Sequence, residues 1–286
     1  MPARRPGVKV PAIATTAAPR VLVLNAGSSS LKWTVLDADT DNDDEHGSAL
    51  DRISAFQMGF INGASACAGI NKQEINQRRG DLPTTLRTDN TGDPETGEVP
   101  INEDTLSTLM ELLGKIFSPK NPPTLSYKPA DCPDAKASPP ASYCPATNTI
   151  VIDLPGLAKA GKVAAENEHT LPQGDDTALS MVMSRYALAV QHERGLAMQS
   201  PWTALRTACL TGVVHRKMAE PIELPSQKQL ILTAGDLDEA VSGLLINHLV
   251  ASDADGTSVP AGFTRIAAFR GGVGGNMDAC YSRYPG

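Results

Sequence analysis

From Asn102 to Phe117 the chain reads "NEDTLSTLMELLGKIF", with Leu106, Leu109, Met110, Leu113, Ile116 and Phe117 recurring at helical spacing. That period places them on one face of a helix, with Asn102 as N-cap and acids in the first turn. A helix with one apolar face must bury it against other elements, so this segment commits the chain to a packed helical body. Further helical segments follow. "ALDRISAFQMGFINGASACAGI", Ala49 to Ile70, spaces Leu50, Ile53, Phe56, Gln57 and Phe60 as one amphipathic helix. A long helix opens on Asp175 and Asp176, and a second on Ser200 and Pro201, an N-cap followed by proline at the first helical position. A helix from Thr233 carries Asp236, Asp238 and Glu239 in its first turn, where acids favour the helix dipole, and "VPAGFTRIAAFRGGVGGN" reads as a last short helix ended by glycine. The β-branched run "NTIVIDL" ending at Pro155 is a strand. The expected class is α+β, predominantly helical, with a small antiparallel sheet and no doubly wound alternation.

Composition removes several functions. With 25 basic against 32 acidic residues and a net charge of −7, the chain has no basic footprint for nucleic acid. No apolar run reaches the length of a transmembrane segment. The first twenty residues contain an Arg pair but no uninterrupted apolar stretch of the kind a signal peptide needs. The five cysteines have no zinc-type spacing. Cys132 and Cys144 flank a short Pro-rich loop, as a local disulfide would in an oxidising compartment, and five isolated thiols in a reducing one fit the composition equally. There is no Gly-x-Ser-x-Gly elbow, and neither Cys144 nor Cys209 has an identifiable His partner, so serine and cysteine hydrolase chemistry lack support.

Four regions are expected: a disordered leader over 1–19, a β-hairpin over 20–37, an acidic linker over 38–48 and the helical body over 49–286. The hairpin contains "VLVLNAGSSSLKWTVLD". Gly27 suits a tight turn, the hydroxyls of Ser28, Ser29 and Ser30 suit phosphate oxygens, and Lys32 suits countercharge. The same letters also suit an ordinary polar turn. With Asn25, they resemble the phosphate-binding motif of the acetate kinase family. That resemblance implies Mg²⁺ and ATP as cofactors, transfer of a phosphoryl group to a carboxylate, a cytoplasmic setting, and Asn25 near the metal. It covers about twenty residues, and the two actin-like domains of such kinases need a much longer chain.

The body carries a second resemblance. "ASYCPATNTIVIDL", then a long helix, then a helix with Cys-x-x-Gly, then "GDLDEA", resemble the neutral zinc metallopeptidase family in its mycobacterial-type branch over about residues 53–280. This implies a zincin-like body. In that family two His on one helix hold zinc and a Glu activates its water. The matching positions here are Ser184 and Arg185 at the His-Glu pair, Leu188 at the second His and Ala204 at the Glu of the next helix. None can bind or activate a metal-held water, and Arg185 sets a cation where a dication would sit. The resemblance therefore implies an inactive relative with no bound cofactor, exported or associated with the cell envelope, that binds a protein or peptide. It also implies the disulfides Cys132–Cys144 and Cys209–Cys280, with Cys67 free. A carboxylate kinase is the alternative reading. A third is a rearranged metal site in which His192, Glu193 and His215 converge, with His248 a further candidate.

Overall fold

The computed structural model describes residues 48–79, 82–83, 97–163, 171 and 173–286, and the backbone alone for 23–27 and 30–34. The leader, most of the linker over 38–48 and the turn residues Ser28 and Ser29 lie outside the described residues. Strands β1 (Val23–Gly27) and β2 (Ser30–Thr34) pair antiparallel, with Asn25 opposite Lys32 and Gly27 opposite Ser30. The architecture is α+β and predominantly helical.

Helix α1 (Ala49–Asn62) begins where Ser48 accepts from the Asp51 amide and Asp51 returns the bond to the Ser48 amide, a reciprocal capping box. The single helix expected to Ile70 breaks at Gly63, which takes φ 80°, and α2 (Ala64–Ala68) follows. Phe60 does not join the buried face. Near the end of α1 it is 77% exposed and stacks on Phe56, which stacks in turn on Phe263. Helix α3 (Lys72–Arg79) folds back so that Arg78 and Arg79 both reach the Asp51 carboxylate.

Helix α4 (Glu103–Phe117) has the expected Asn102 cap on the Thr105 amide and buries Leu106, Leu109, Leu112 and Leu113. Complete burial of a leucine contributes about 1.5–3 kcal/mol, so this face is a principal anchor of the body. The sheet is mixed, not antiparallel. Central β5 (Thr149–Ile152) pairs parallel with β3 (Thr124–Ser126) and antiparallel with β4 (Ala141–Cys144). The chain between β3 and β4 loops past the sheet before returning, which places β5 between them and reverses one pairing. Pro155 ends the strand and starts α5 (Leu154–Ala160), capped by Asp153.

Helix α6 (Asp175–Glu193) is the axis of the fold, buried on all sides from Asp175 to Gln191. It packs against α4, α5, β4 and β5, and against α7 (Pro201–Met218) and α8 (Asp236–Ile246). Ser200 caps α7 through the Thr203 amide. Its start meets the end of α6 and its end meets the start of α6, so the two run antiparallel. Helix α8 begins at Asp236, not Thr233, because Asp236 accepts from both the amide and the hydroxyl of Thr233 and holds it in the preceding turn. Helix α9 (Gly262–Val273) is not the last: Asn276 caps α10 (Met277–Arg283).

Disulfides Cys132–Cys144 and Cys209–Cys280 staple the sheet loop to β4 and α7 to α10, and Cys67 is a free, exposed thiol. Helices α7 and α9 cross backbone against backbone. A Cβ on Gly212 would lie 2.0 Å from the Phe269 oxygen, and one on Gly272 would lie 1.8 Å from the Cys209 oxygen. Only glycine allows this approach. Among the described residues no helix is long and apolar enough to cross a membrane.

Candidate functional site

The positions that the peptidase resemblance assigns to zinc chemistry lie at the centre of α6 and on the facing turn of α7. Ser184, Arg185, Leu188 and Ala204 are all 0% exposed. Ser184 donates its hydroxyl to the Met181 carbonyl at 2.6 Å. The Arg185 guanidinium donates Nη2 to the Leu249 carbonyl at 2.7 Å and to Ser252 Oγ at 2.8 Å. Its Nη1 reaches Ser138 Oγ and the Asp253 carbonyl, both at 3.4 Å, and its Nε reaches Ser184 Oγ at 3.2 Å. Burial lowers the Arg185 pKa to about 9, against the pull of Asp253, so the group keeps its charge at neutral pH. A planar fork of five donors meets five oxygens, which satisfies a buried cation without a carboxylate contact. The side chain ties α6 to the 249–253 turn and to the sheet loop.

The end of α6 does other work. His192 Nδ1 donates to the Tyr143 hydroxyl at 3.1 Å, and that hydroxyl donates to Asn148 Oδ1 at 2.9 Å. Glu193 accepts from the Asn121 and Lys120 amides at 2.9 and 3.1 Å, and these two bonds hold its carboxyl below the usual range. His215 lies at the opposite end of α6, bonded to Asp176. From Asp176 to His192 the helix rises roughly 24 Å. The expected convergence of His192, Glu193 and His215 on one metal is therefore corrected: the antiparallel packing of α6 and α7 sends the two imidazoles to opposite ends. His248 bonds its own chain at the Leu245 carbonyl, and burial lowers its pKa.

The polar centre that the fold does assemble lies at the start of α6. His215 is fully buried, with Nε2 2.8 Å from Asp176 Oδ2 and Nδ1 2.8 Å from the Thr211 carbonyl. Both ring nitrogens lie within hydrogen-bond reach of oxygens, an arrangement that favours the protonated ring. Burial opposes that charge, but Asp176 and the Thr211 carbonyl outweigh it and raise the pKa. Phe269 packs edge-on against the ring, with centroids 5.0 Å apart.

Around this pair stand more acids. Glu239 accepts from the Asp176 amide at 2.9 Å, and Glu98 from the Asp175 amide at 3.3 Å, so two carboxylates face the amino end of α6. Asp175 Oδ2 accepts from the Val99 amide at 3.2 Å, while its Oδ1 is buried without a hydrogen-bond partner among the described residues. Burial, then the neighbouring acids, pushes the carboxyls of Asp175, Asp236 and Glu239 upward. One donor oxygen each from Glu98, Asp175 and Glu239 lies within 4.8 Å of the others. The sequence marks Asp236 and Glu239 only as first-turn acids, and nothing in it pairs them with Glu98 or Asp175. The one local signal is the doubled acid at the start of a helix that carries no further carboxylate before Glu193.

Of the residues in the phosphate-type motif, Asn25, Gly27, Ser30 and Lys32 lie on the paired β1 and β2 backbones, and Ser28 and Ser29 lie outside the described residues. Comparison with protein-family models, curated proteins and solved structures gives no match for the chain.

Proposed function

We propose that the protein is a non-catalytic relative of the zinc metallopeptidases that serves as a binding scaffold for a protein or peptide in an oxidising, extracytoplasmic setting. The observation that carries this reading is Arg185. At the position of the general base stands a cation, fully buried and bonded through its whole guanidinium to the protein. Ser184, Leu188 and Ala204 are equally enclosed, so these positions offer neither a metal donor nor an opening to a substrate. Such a fork helps hold the body together and performs no hydrolysis. The two disulfides support the compartment, since such bridges persist where thiols are not kept reduced.

Metal content and peptide cleavage test the proposal together. The purified chain, loaded with excess zinc and then dialysed, is expected to retain no stoichiometric zinc and to leave unfolded casein intact. One retained zinc per chain, with cleavage that a strong chelator abolishes, would overturn it.

A further inference from the structure

We infer that Glu98, Asp175 and Glu239 form a binding site for a hard divalent cation, best matched by Ca²⁺, at the amino end of α6. Three segments far apart in sequence converge there, and no two of their three donor oxygens are more than 4.8 Å apart. Three protein carboxylates suit Ca²⁺, which takes six to eight oxygens in a flexible shell, better than Mg²⁺, which is usually held by one or two carboxylates and keeps several waters. All three donors are carboxylate oxygens, the ligand type that suits hard cations such as Ca²⁺, Mg²⁺ and Mn²⁺.

Two independent features point to a ligand. Asp175 is only 5% exposed, yet among the described residues its Oδ1 has no hydrogen-bond partner. A buried carboxylate oxygen without a donor costs about 1–3 kcal/mol or more unless something positive meets it. The second feature is Gly174. A Cβ there would stand 2.1 Å from Glu239 Oε1 and 2.5 Å from its Cδ, so the missing side chain leaves the space that the Glu239 carboxylate occupies. The backbone also fixes the acids in place. The amides of Asp175 and Asp176 hold Glu98 and Glu239, and the Val99 amide holds Asp175, each through one oxygen. Glu98 is exposed, which gives the ion a route in and leaves room for water to complete its shell. The His215 ring is engaged by Asp176, and among the described residues no ion pair joins Asp175 or Glu239 to a basic side chain.

The site is separate from the peptidase positions. Asp175 and Arg185 are ten residues apart on α6, roughly 15 Å along its axis. Calcium binding would therefore leave the reading of Arg185 untouched, and its failure would not bear on it.

The test uses the full chain with its disulfides intact, stripped of metal with EGTA. CaCl₂ and, separately, MgCl₂ are titrated in by calorimetry, and thermal unfolding is followed with and without each salt. One Ca²⁺ per chain, bound more tightly than Mg²⁺ and with a rise in melting temperature, is expected. Asp175→Asn and Glu239→Gln should each weaken Ca²⁺ binding roughly tenfold or more. In EGTA both should melt within a few degrees of the wild type, because burial and the neighbouring acids already disfavour charge on these two carboxyls. Asp278→Asn on α10 should bind as the wild type does. No heat and no melting shift in the wild type at millimolar Ca²⁺ would overturn the inference, and that outcome is readable even if a variant fails to fold. Undiminished binding in both acid variants, or a preference for Mg²⁺, would also overturn it.

Discussion

Replacing Gly272 by alanine tests the closest contact in the fold. The new Cβ would lie 1.8 Å from the Cys209 oxygen, 2.8 Å from the Cys209 carbonyl carbon and 2.9 Å from the Val213 nitrogen. All three are backbone atoms, so no rotamer change can relieve the overlap. To restore ordinary contact, α9 must retreat from α7 by about 1.5 Å, and a gap of even 1 Å already forfeits up to half of each dispersion contact. We set the loss at about 3–4 kcal/mol, at and just above the usual range for overpacking. The gain from replacing glycine within a helix returns about 1 kcal/mol. The net loss of about 2–3 kcal/mol should lower the melting temperature by roughly 5–10 °C for a body of this size. The adjacent Gly271→Ala is the control. Its Cβ would meet only Arg283 Nη1, at 3.6 Å, so helix propensity alone applies and the melting temperature should rise by a few degrees. Circular dichroism of thermal unfolding under non-reducing conditions reads both. The retreat should also loosen Phe269 from the His215 ring. Gly212→Ala combined with Gly272→Ala should cost less than the sum, since one displacement relieves both clashes. A Gly272→Ala protein that melts at or above the wild type, or a Gly271→Ala protein that falls with it, would refute the backbone crossing.

Removing the Cys209–Cys280 bridge, which spans 71 residues, should cost about 4 kcal/mol in urea unfolding; losing Cys132–Cys144, which spans 12, should cost about 3 kcal/mol, and the reverse ranking would count against loop closure as the source. Thiol titration of the denatured, unreduced chain should find Cys67 alone. Arg185→Met should lose about 1.5–3 kcal/mol, because the charged hydrogen bonds from α6 to the 249–253 turn are lost while the Leu249 and Asp253 carbonyls keep the Ser252 hydroxyl and the Gly256 amide as donors; a variant as stable as the wild type in the same assay would show that the fork does not hold the body together. Glu193→Ala removes the acceptor for two amides on the 120–121 loop and should cost about 1 kcal/mol, with hydrogen exchange rising at Lys120 and Asn121 and not in α7.

The parts of the fold that were legible in the sequence are those whose signals are local. Asn102 and Ser200 each bond the amide three residues on, and the leucines of α4 repeat at helical spacing, so both helices follow from short stretches. Where one residue decided the outcome, the periodic pattern misled. Gly63 breaks a pattern that reads as continuous to Ile70, and Asp236 captures Thr233 so that α8 starts later. The short helices α5 and α10 rest on single caps, Asp153 and Asn276, too brief to show a period. The direction of the β3–β5 pairing depends on the route of the connecting loop, which residue alternation does not encode.

The polar sites were less legible because their meaning comes from distance along α6. One buried helix carries acids at its start, a cation at its centre and a histidine at its end, and each bonds a different part of the chain. In sequence these residues are close enough to suggest one rearranged metal site. In space a helix separates its residues by 1.5 Å each, so His192 cannot share a ligand with His215 or with Asp175. The carboxylates at the start cannot be the peptidase centre moved elsewhere either. Such a centre needs a metal-held water next to a free general base, whereas Glu239 and Glu98 are each held by an amide of α6 and the nearest imidazole is bound on both nitrogens. What the hydrogen bonds of this arrangement do is fix the loop of Glu98 and the start of α8 to the axis of the fold, through the amides of Asp175 and Asp176.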